Sequence, residues 1–328
     1  MNILFCTDYF PHAVEMLRKY LPEDEVLPCP IPQVRDHLSE ADVIIPAMFR
    51  VDAQVIEATS ARMVLQYGVG LEGVDVAAAT RKGVYVANVP GSLASSNAAS
   101  VAEHAIFLML SLARKYPLAS RNLKRKVLGS PLGIGLRGKT VGVVGLGSIG
   151  GELVKRLRGF DVRLLGIKRH PSPDDADRLG LDFAGGPEDL PFVLGESDFV
   201  VLALPVTGET RGLIGERALA SLKEGAFIVN VARGPLIDHD ALVQALASGR
   251  LAGVGLDVFW EEPIDPQDPI FDYNVIATPH IAGVTDTSYD EIARGVADNV
   301  NRVRAGLPPQ NCVNLEELRS NLGTLSNG

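Results

Sequence analysis

Short apolar runs rich in β-branched residues recur along the chain at Asn2–Thr7, Asp42–Ala47, Met63–Tyr67, Val84–Ala87, Thr140–Gly145, Val162–Ile167, Asp198–Leu204, Ala226–Val231, Gly253–Asp257 and Asn274–Ala277. Several carry no polar position over most of their length; residues 199 to 204 read Phe-Val-Val-Leu-Ala-Leu. A strand covered on one face alternates polar and apolar side chains, whereas a parallel strand covered on both faces does not. Helical periodicity fills the gaps, as at Glu152–Gly159, Glu216–Leu222 and His239–Ser248. Strand–helix–strand alternation of this kind predicts an α/β fold with parallel sheets.

The pattern falls into two blocks. Four strands occupy the first 90 residues or so, and Pro90-Gly91-Ser92 reads as a turn and hinge. One long helical segment is expected from Asn97 to about Arg125, before the second strand set. The tail, from Asp286 to Ala305, reads as an amphipathic helix with Ile292, Val296, Val300 and Val303 on its apolar stripe. A lone helix is no domain, so it is expected to pack back onto the first block.

Composition narrows the class. The 328 residues, 46% hydrophobic and 22% charged, suit two globular domains, and 33 glycines with 21 prolines suit many tight connections. The densest apolar run, Ala105–Ala113, is too short to span a bilayer, and the first residues resemble no signal peptide. Cys6, Cys29 and Cys312 show no CxxC spacing and read as reduced thiols of a cytoplasmic protein. A net charge of −9 argues against a nucleic-acid surface, yet leaves room for an anionic substrate in a locally positive pocket. The basic stretch Arg114–Lys126 reads as a solvated helix face.

Thr140 to Gly150 places Gly145-x-Gly147-x-x-Gly150 between a strand and a helix. A bare GxGxxG is weak; this context makes it a dinucleotide signature. Gly145 permits the turn, Gly147 lets backbone approach a pyrophosphate, and Gly150 allows the helix close to the strand. The amides of Ser148 and Ile149 open that helix, where phosphates bind. An NAD enzyme places an acid about 20 residues on. Counting 18 past Gly150 reaches Lys168, followed by Arg169. Two cations suit a ribose 2′-phosphate; one such contact at about 4 Å gives on the order of 4 kcal/mol at an effective dielectric of 20, before desolvation. NADP(H) is therefore expected over NAD(H).

Three polar residues follow later strands: Arg233 in Asn230-Val231-Ala232-Arg233-Gly234, Glu262 before Pro263, and His280 in Thr278-Pro279-His280. Each has a bland reading, as a surface arginine, a turn carboxylate and a core histidine. With Tyr67-Gly68-Val69-Gly70 and the run Asn97 to His104, these motifs stand in the order found in the D-isomer-specific 2-hydroxyacid dehydrogenase family, which the whole chain resembles.

The resemblance implies a Rossmann dinucleotide-binding domain, 94–285, inserted in a flavodoxin-like substrate-binding domain, 1–93 plus 286–328. It implies hydride transfer between the nicotinamide and a short 2-keto/2-hydroxy acid pair. His280 would be the proton donor, Glu262 would orient its ring and favour the imidazolium, and Arg233 would clamp the substrate carboxylate. The Val69 and Gly70 amides would assist Arg233. Pro205, Thr210, Val231, Ala232 and Asp257 would join the glycine-rich loop around the cofactor, Asp257 beside the nicotinamide. A homodimer through the Asn97–Arg125 region and the arm that follows it is also implied. The histidines and cysteines show no metal-ligand spacing, and hydride chemistry needs no metal, so none is expected. Glyoxylate or hydroxypyruvate reduction leads; phosphoglycerate dehydrogenase activity and a dinucleotide-sensing scaffold are the alternatives. Glu262, where formate-specific relatives carry glutamine, argues against formate, and Glu72, where phosphite dehydrogenases carry lysine, against phosphite. His104 reads as packing, and Trp260 as either pocket wall or core cover.

Overall fold

The computed structural model describes residues 1–325. They divide into two compact units, one formed by 1–97 with the segment from 285 onward, the other by 98–284.

The first unit is built on a five-stranded sheet of β1 (Asn2–Phe5), β2 (Glu25–Pro28), β3 (Val43–Ile45), β4 (Met63–Leu65) and β5 (Tyr85–Ala87). All neighbours are parallel and the order is β2-β1-β3-β4-β5, the flavodoxin-like doubly wound order. β3 and β4 are buried at every position, which is why their sequences do not alternate. The helix Asp286–Arg304 packs against the helix Pro11–Tyr20, burying Ile292, Val296, Val300 and Val303. The Tyr20 hydroxyl donates to Asp290 at 2.6 Å across that contact.

The second unit carries seven parallel strands, β6 (Thr140–Val144), β7 (Arg163–Ile167), β8 (Phe183–Gly185), β9 (Phe199–Leu202), β10 (Ala226–Asn230), β11 (Leu251–Leu256) and β12 (Val275–Ala277), in the order β12-β11-β10-β9-β6-β7-β8. The chain winds outward from β6 through β7 to β8, then returns to β9 on the other side of β6. That reversal is the switch point at which open α/β sheets hold ligands, beyond the carboxyl ends of the strands. Phe199 and Phe227 stack at 4.9 Å on one face of the sheet.

Two strands were not anticipated. β2 and β8 are both sheet edges, short and broken by exposed or small residues, so neither has a continuous apolar run. The helical segment expected from Asn97 to Arg125 is two helices, Ser95–Ala113 and Tyr116–Lys124. Lys115 turns left-handed between them (φ 51°), and Pro117, which has no N–H to give, sits in the first turn of the second. The helix Leu315–Leu325 also carried no clear signal. Among the described residues no helix is long and apolar enough to cross a membrane.

Candidate active site

The glycine-rich turn leaves β6 at the switch point, and its three glycines serve different ends. Gly145 has φ 104°, and a Cβ there would lie 2.4 Å from the Ala203 carbonyl oxygen. A Cβ on Gly150 would lie 2.0 Å from the Gly145 carbonyl oxygen, so Gly150 is what lets the helix Ser148–Leu157 start against the strand. A Cβ on Gly147 would meet nothing within 4 Å. The space over Gly147, in front of the amides of Ser148 and Ile149, is the shape a pyrophosphate needs. The residues present therefore fit a dinucleotide.

At the end of β7, Lys168 Nζ lies 3.2 and 3.3 Å from the two carboxylate oxygens of Asp175. Asp175 is buried, accepts the Ser172 amide at 2.7 Å and pairs with Arg178. The Ser172 amide and the Arg178 guanidinium, with Lys168, hold its carboxyl down at about 2 against the cost of burial. Arg169 pairs with Glu209 at 2.9 Å on the exposed surface. Beyond β9, Pro205 and Thr210 belong to one turn: the Thr210 hydroxyl donates to the Pro205 carbonyl at 2.8 Å.

β10 ends in a turn organised by a buried asparagine. The Asn230 side chain accepts the Ala232 amide at 3.0 Å and donates to the Arg233 carbonyl at 2.8 Å. Val231 and Ala232 are buried within this turn, and Arg233 donates to the Ala232 carbonyl at 2.7 Å. A Cβ on Gly234 would lie 2.1 Å from the Phe259 backbone, so the Arg233 turn abuts the turn that carries Glu262.

Glu262 is the meeting point. One carboxylate oxygen takes the Phe259 amide at 2.9 Å; the other lies 2.6 Å from His280 Nδ1. Burial disfavours its ionised form, but the His280 ring, the Phe259 amide and the Arg233 guanidinium together hold the carboxyl below the ordinary range. With Nδ1–H given to this carboxylate, Nε2 is the ring nitrogen able to exchange a proton with a ligand. His280 stands in the left-handed region (φ 54°).

In the first unit, the Val69–Gly70 turn follows β4. Asn88 donates to the Val69 carbonyl at 2.7 Å, and the Val69 side chain is exposed.

The model of the D-isomer specific 2-hydroxyacid dehydrogenase NAD-binding domain matches residues 106–282. The glyoxylate reductase of Thermococcus litoralis is 34% identical to this chain, across 97% of it and 98% of the relative. The D-3-phosphoglycerate dehydrogenase of Archaeoglobus fulgidus is 35% identical across 97% of this chain, which spans only 60% of that relative's length. A crystal structure from Thermus thermophilus superposes with a TM-score of 0.82 at 31% identity, covering 95% of this chain and all of the other.

The chain belongs to the D-isomer specific 2-hydroxyacid dehydrogenase family.

As a member it is an NAD-binding oxidoreductase of the 2-hydroxyacid dehydrogenase class. Several residues bearing on its site escaped sequence reasoning. Asn230 is one; its signal is a single polar residue closing an apolar strand. Asp175 is another, since it reaches Lys168 through a turn rather than by position along the strand. Asp257 is 1% exposed, and both of its oxygens are engaged by Thr278, Ile281 and Ala282. His104, read as packing, places Nε2 2.8 Å from the Thr278 hydroxyl. Trp260 packs against the apolar core, donates to the Ile237 carbonyl at 2.6 Å and meets His239 edge-on at 4.7 Å; it covers the core.

Proposed function

We propose that this enzyme reduces a short 2-keto acid of the glyoxylate or hydroxypyruvate type to the D-2-hydroxy acid with NADPH, and catalyses the reverse oxidation. The bond between Glu262 and His280 at 2.6 Å, with the Arg233 turn against it, carries the reading. The glycine-rich turn, Pro205, Thr210, Val231 and Ala232 hold the cofactor, which when bound supplies or accepts the hydride. The chain's own residues handle charge and the proton. Arg233 grips the substrate carboxylate and draws negative charge onto the keto oxygen. His280 Nε2 passes its proton to that oxygen as a bond to hydrogen forms at C2, and Glu262 stabilises the imidazolium beforehand. In oxidation the neutral ring takes the hydroxyl proton back.

The preference for NADP(H) rests on Arg169. Its partner Glu209 is exposed, and an exposed pair of this kind holds by about 1 kcal/mol or less, so a phosphate can replace it. Lys168 adds positive charge beside it but is anchored by Asp175. We place a second copy of the chain over the exposed Leu123, Leu128 and Leu132, as the family resemblance implies. The three free cysteines suit the reducing cytoplasm.

The similarity to a phosphoglycerate dehydrogenase over nearly the whole chain supports 3-phosphohydroxypyruvate as a second substrate. Steady-state kinetics with glyoxylate, hydroxypyruvate and 3-phosphohydroxypyruvate, each with NADPH and with NADH, tests all of this. Turnover of the first two with NADPH is expected. Cofactor binding without turnover on any of the three indicates a sensing scaffold instead.

A further inference from the structure

The loop that carries His280 is wound around a single buried carboxylate. Asp257 Oδ1 accepts the Thr278 hydroxyl at 2.7 Å and the Ile281 amide at 2.9 Å, while Oδ2 accepts the Ala282 amide at 2.8 Å. The Asp257 carbonyl takes the His280 amide at 2.9 Å. These bonds flank the one residue of the loop that stands at positive φ. A non-glycine residue there is strained, and it persists only where its surroundings dictate it.

Behind Asp257 lies His104, on the helix Ser95–Ala113. Its Nε2 is 2.8 Å from Thr278 Oγ1 and 3.5 Å from Asp257 Oδ1. Hydrogen counting fixes the direction of this chain. Asp257 accepts two backbone amides and, at Oδ1, the hydrogen of the Thr278 hydroxyl. Thr278 Oγ1 can then only accept from His104, which places the proton on Nε2. Burial pushes the His104 imidazole below its ordinary value, and the nearby Asp257 charge offsets this only in part. His104 is thus a neutral, partly buried donor with a fixed tautomer, at the head of a relay of hydrogen bonds from His104 through Thr278 to Asp257.

We infer that His104 and Thr278 are positioning residues for the proton donor: they hold the Asp257 carboxylate in the orientation that keeps the 278–282 loop, and hence the His280 ring, in register with Glu262. A carboxylate that lost the Thr278 hydroxyl would keep its two amide bonds but lose the one that ties it to β12 and the His104 helix, so its orientation, and that of the loop it holds, would shift. The ring would then swing, although neither His104 nor Thr278 touches substrate. This inference rests on His280 being the proton donor.

The test compares Thr278→Val, which keeps the shape and removes the hydroxyl, with Thr278→Ser, which restores it. His104→Leu and His104→Gln form the parallel pair, the glutamine amide supplying an N–H for the relay. His280→Ala is measured alongside. In Thr278→Val and His104→Leu, kcat for glyoxylate reduction is expected to fall about 10- to 100-fold, the scale of a displacement near 1 Å in a reacting group. KM and the cofactor Kd, read from NADPH fluorescence, should stay within about twofold of wild type, and Thr278→Ser and His104→Gln should recover most of the loss. An unchanged kcat in Thr278→Val, with His280→Ala inactive, overturns the inference and leaves the proton donor in place. So does a loss in which kcat, cofactor affinity and Tm fall together and Thr278→Ser fails to restore kcat. Substantial turnover by His280→Ala overturns the proton-donor reading itself.

Discussion

His280 Nδ1 lies 2.6 Å from Glu262 Oε2, and the Phe259 amide, 2.9 Å from Oε1, fixes the other side of that carboxylate. The imidazole is thereby held through Nδ1.

Removing the charge while keeping the shape isolates this function. Glu262→Gln should lower kcat about 100-fold, the lower end of what an oriented general acid contributes. Its stability effect carries a sign. Because the folded carboxyl titrates below its ordinary value, Glu262 contributes stability that is fully present above about pH 4.3. That contribution fades as pH falls through the lower folded value. Thermal melts should therefore separate Glu262→Gln from wild type more at pH 7 than at pH 3.

Arg233→Ala should cost about 100-fold or more in kcat/KM with 2-keto acids, because a guanidinium grips a carboxylate with two parallel bonds. Arg233→Lys should recover only a minor part, since an ammonium cannot form that pair. Asn230→Ala, which frees the Arg233 turn while leaving the guanidinium in place, should give an intermediate loss in the same assay.

The glycines of the cofactor turn give a contrast that one substitution each reveals. Gly150→Ala drives a Cβ against a backbone oxygen at 2.0 Å and should lower both Tm and cofactor affinity, with about 1–3 kcal/mol of overpacking. Gly147→Ala meets nothing in the protein, so Tm should hold while titration calorimetry with NADPH shows weakened binding. Equal effects of the two would contradict the assignment of the open space to the pyrophosphate.

His239 lies between Asp240 at 3.1 Å and Asp268 at 3.0 Å. Burial opposes its protonation, but the two carboxylates raise it above the ordinary value. A raised folded value stabilises below the unfolded value near 6.5, and the benefit is lost as pH rises through the folded value. His239→Gln should cost about 1 kcal/mol at pH 5.5 and little at pH 9, read from denaturant midpoints.

How much of this was legible in the sequence follows from the range of the forces involved. Buried parallel strands and a glycine-rich turn are local patterns, so ten strands and the cofactor turn could be read directly. β2 and β8 escaped because an edge strand needs no continuous apolar run. Lys168 was legible as a cation, but its tether was not: Asp175 comes back to it through the Ser172 turn, a tertiary arrangement. Asp257 illustrates the same limit. Its place beside the nicotinamide came from resemblance, whereas its bonds to Thr278, Ile281 and Ala282 depend on β11 and β12 lying side by side. Likewise His104 sits in an apolar helix, where packing is the natural reading, and only the fold brings Thr278 to its ring.

The most direct test of the account is the single-turnover rate of glyoxylate reduction by His280→Ala with NADPH prebound. Wild-type cofactor affinity with a rate reduced about 1000-fold or more is predicted, within the range general acid catalysis supplies. A rate within tenfold of wild type, with the cofactor equally well bound, would contradict the assignment of His280 as the group that delivers the proton.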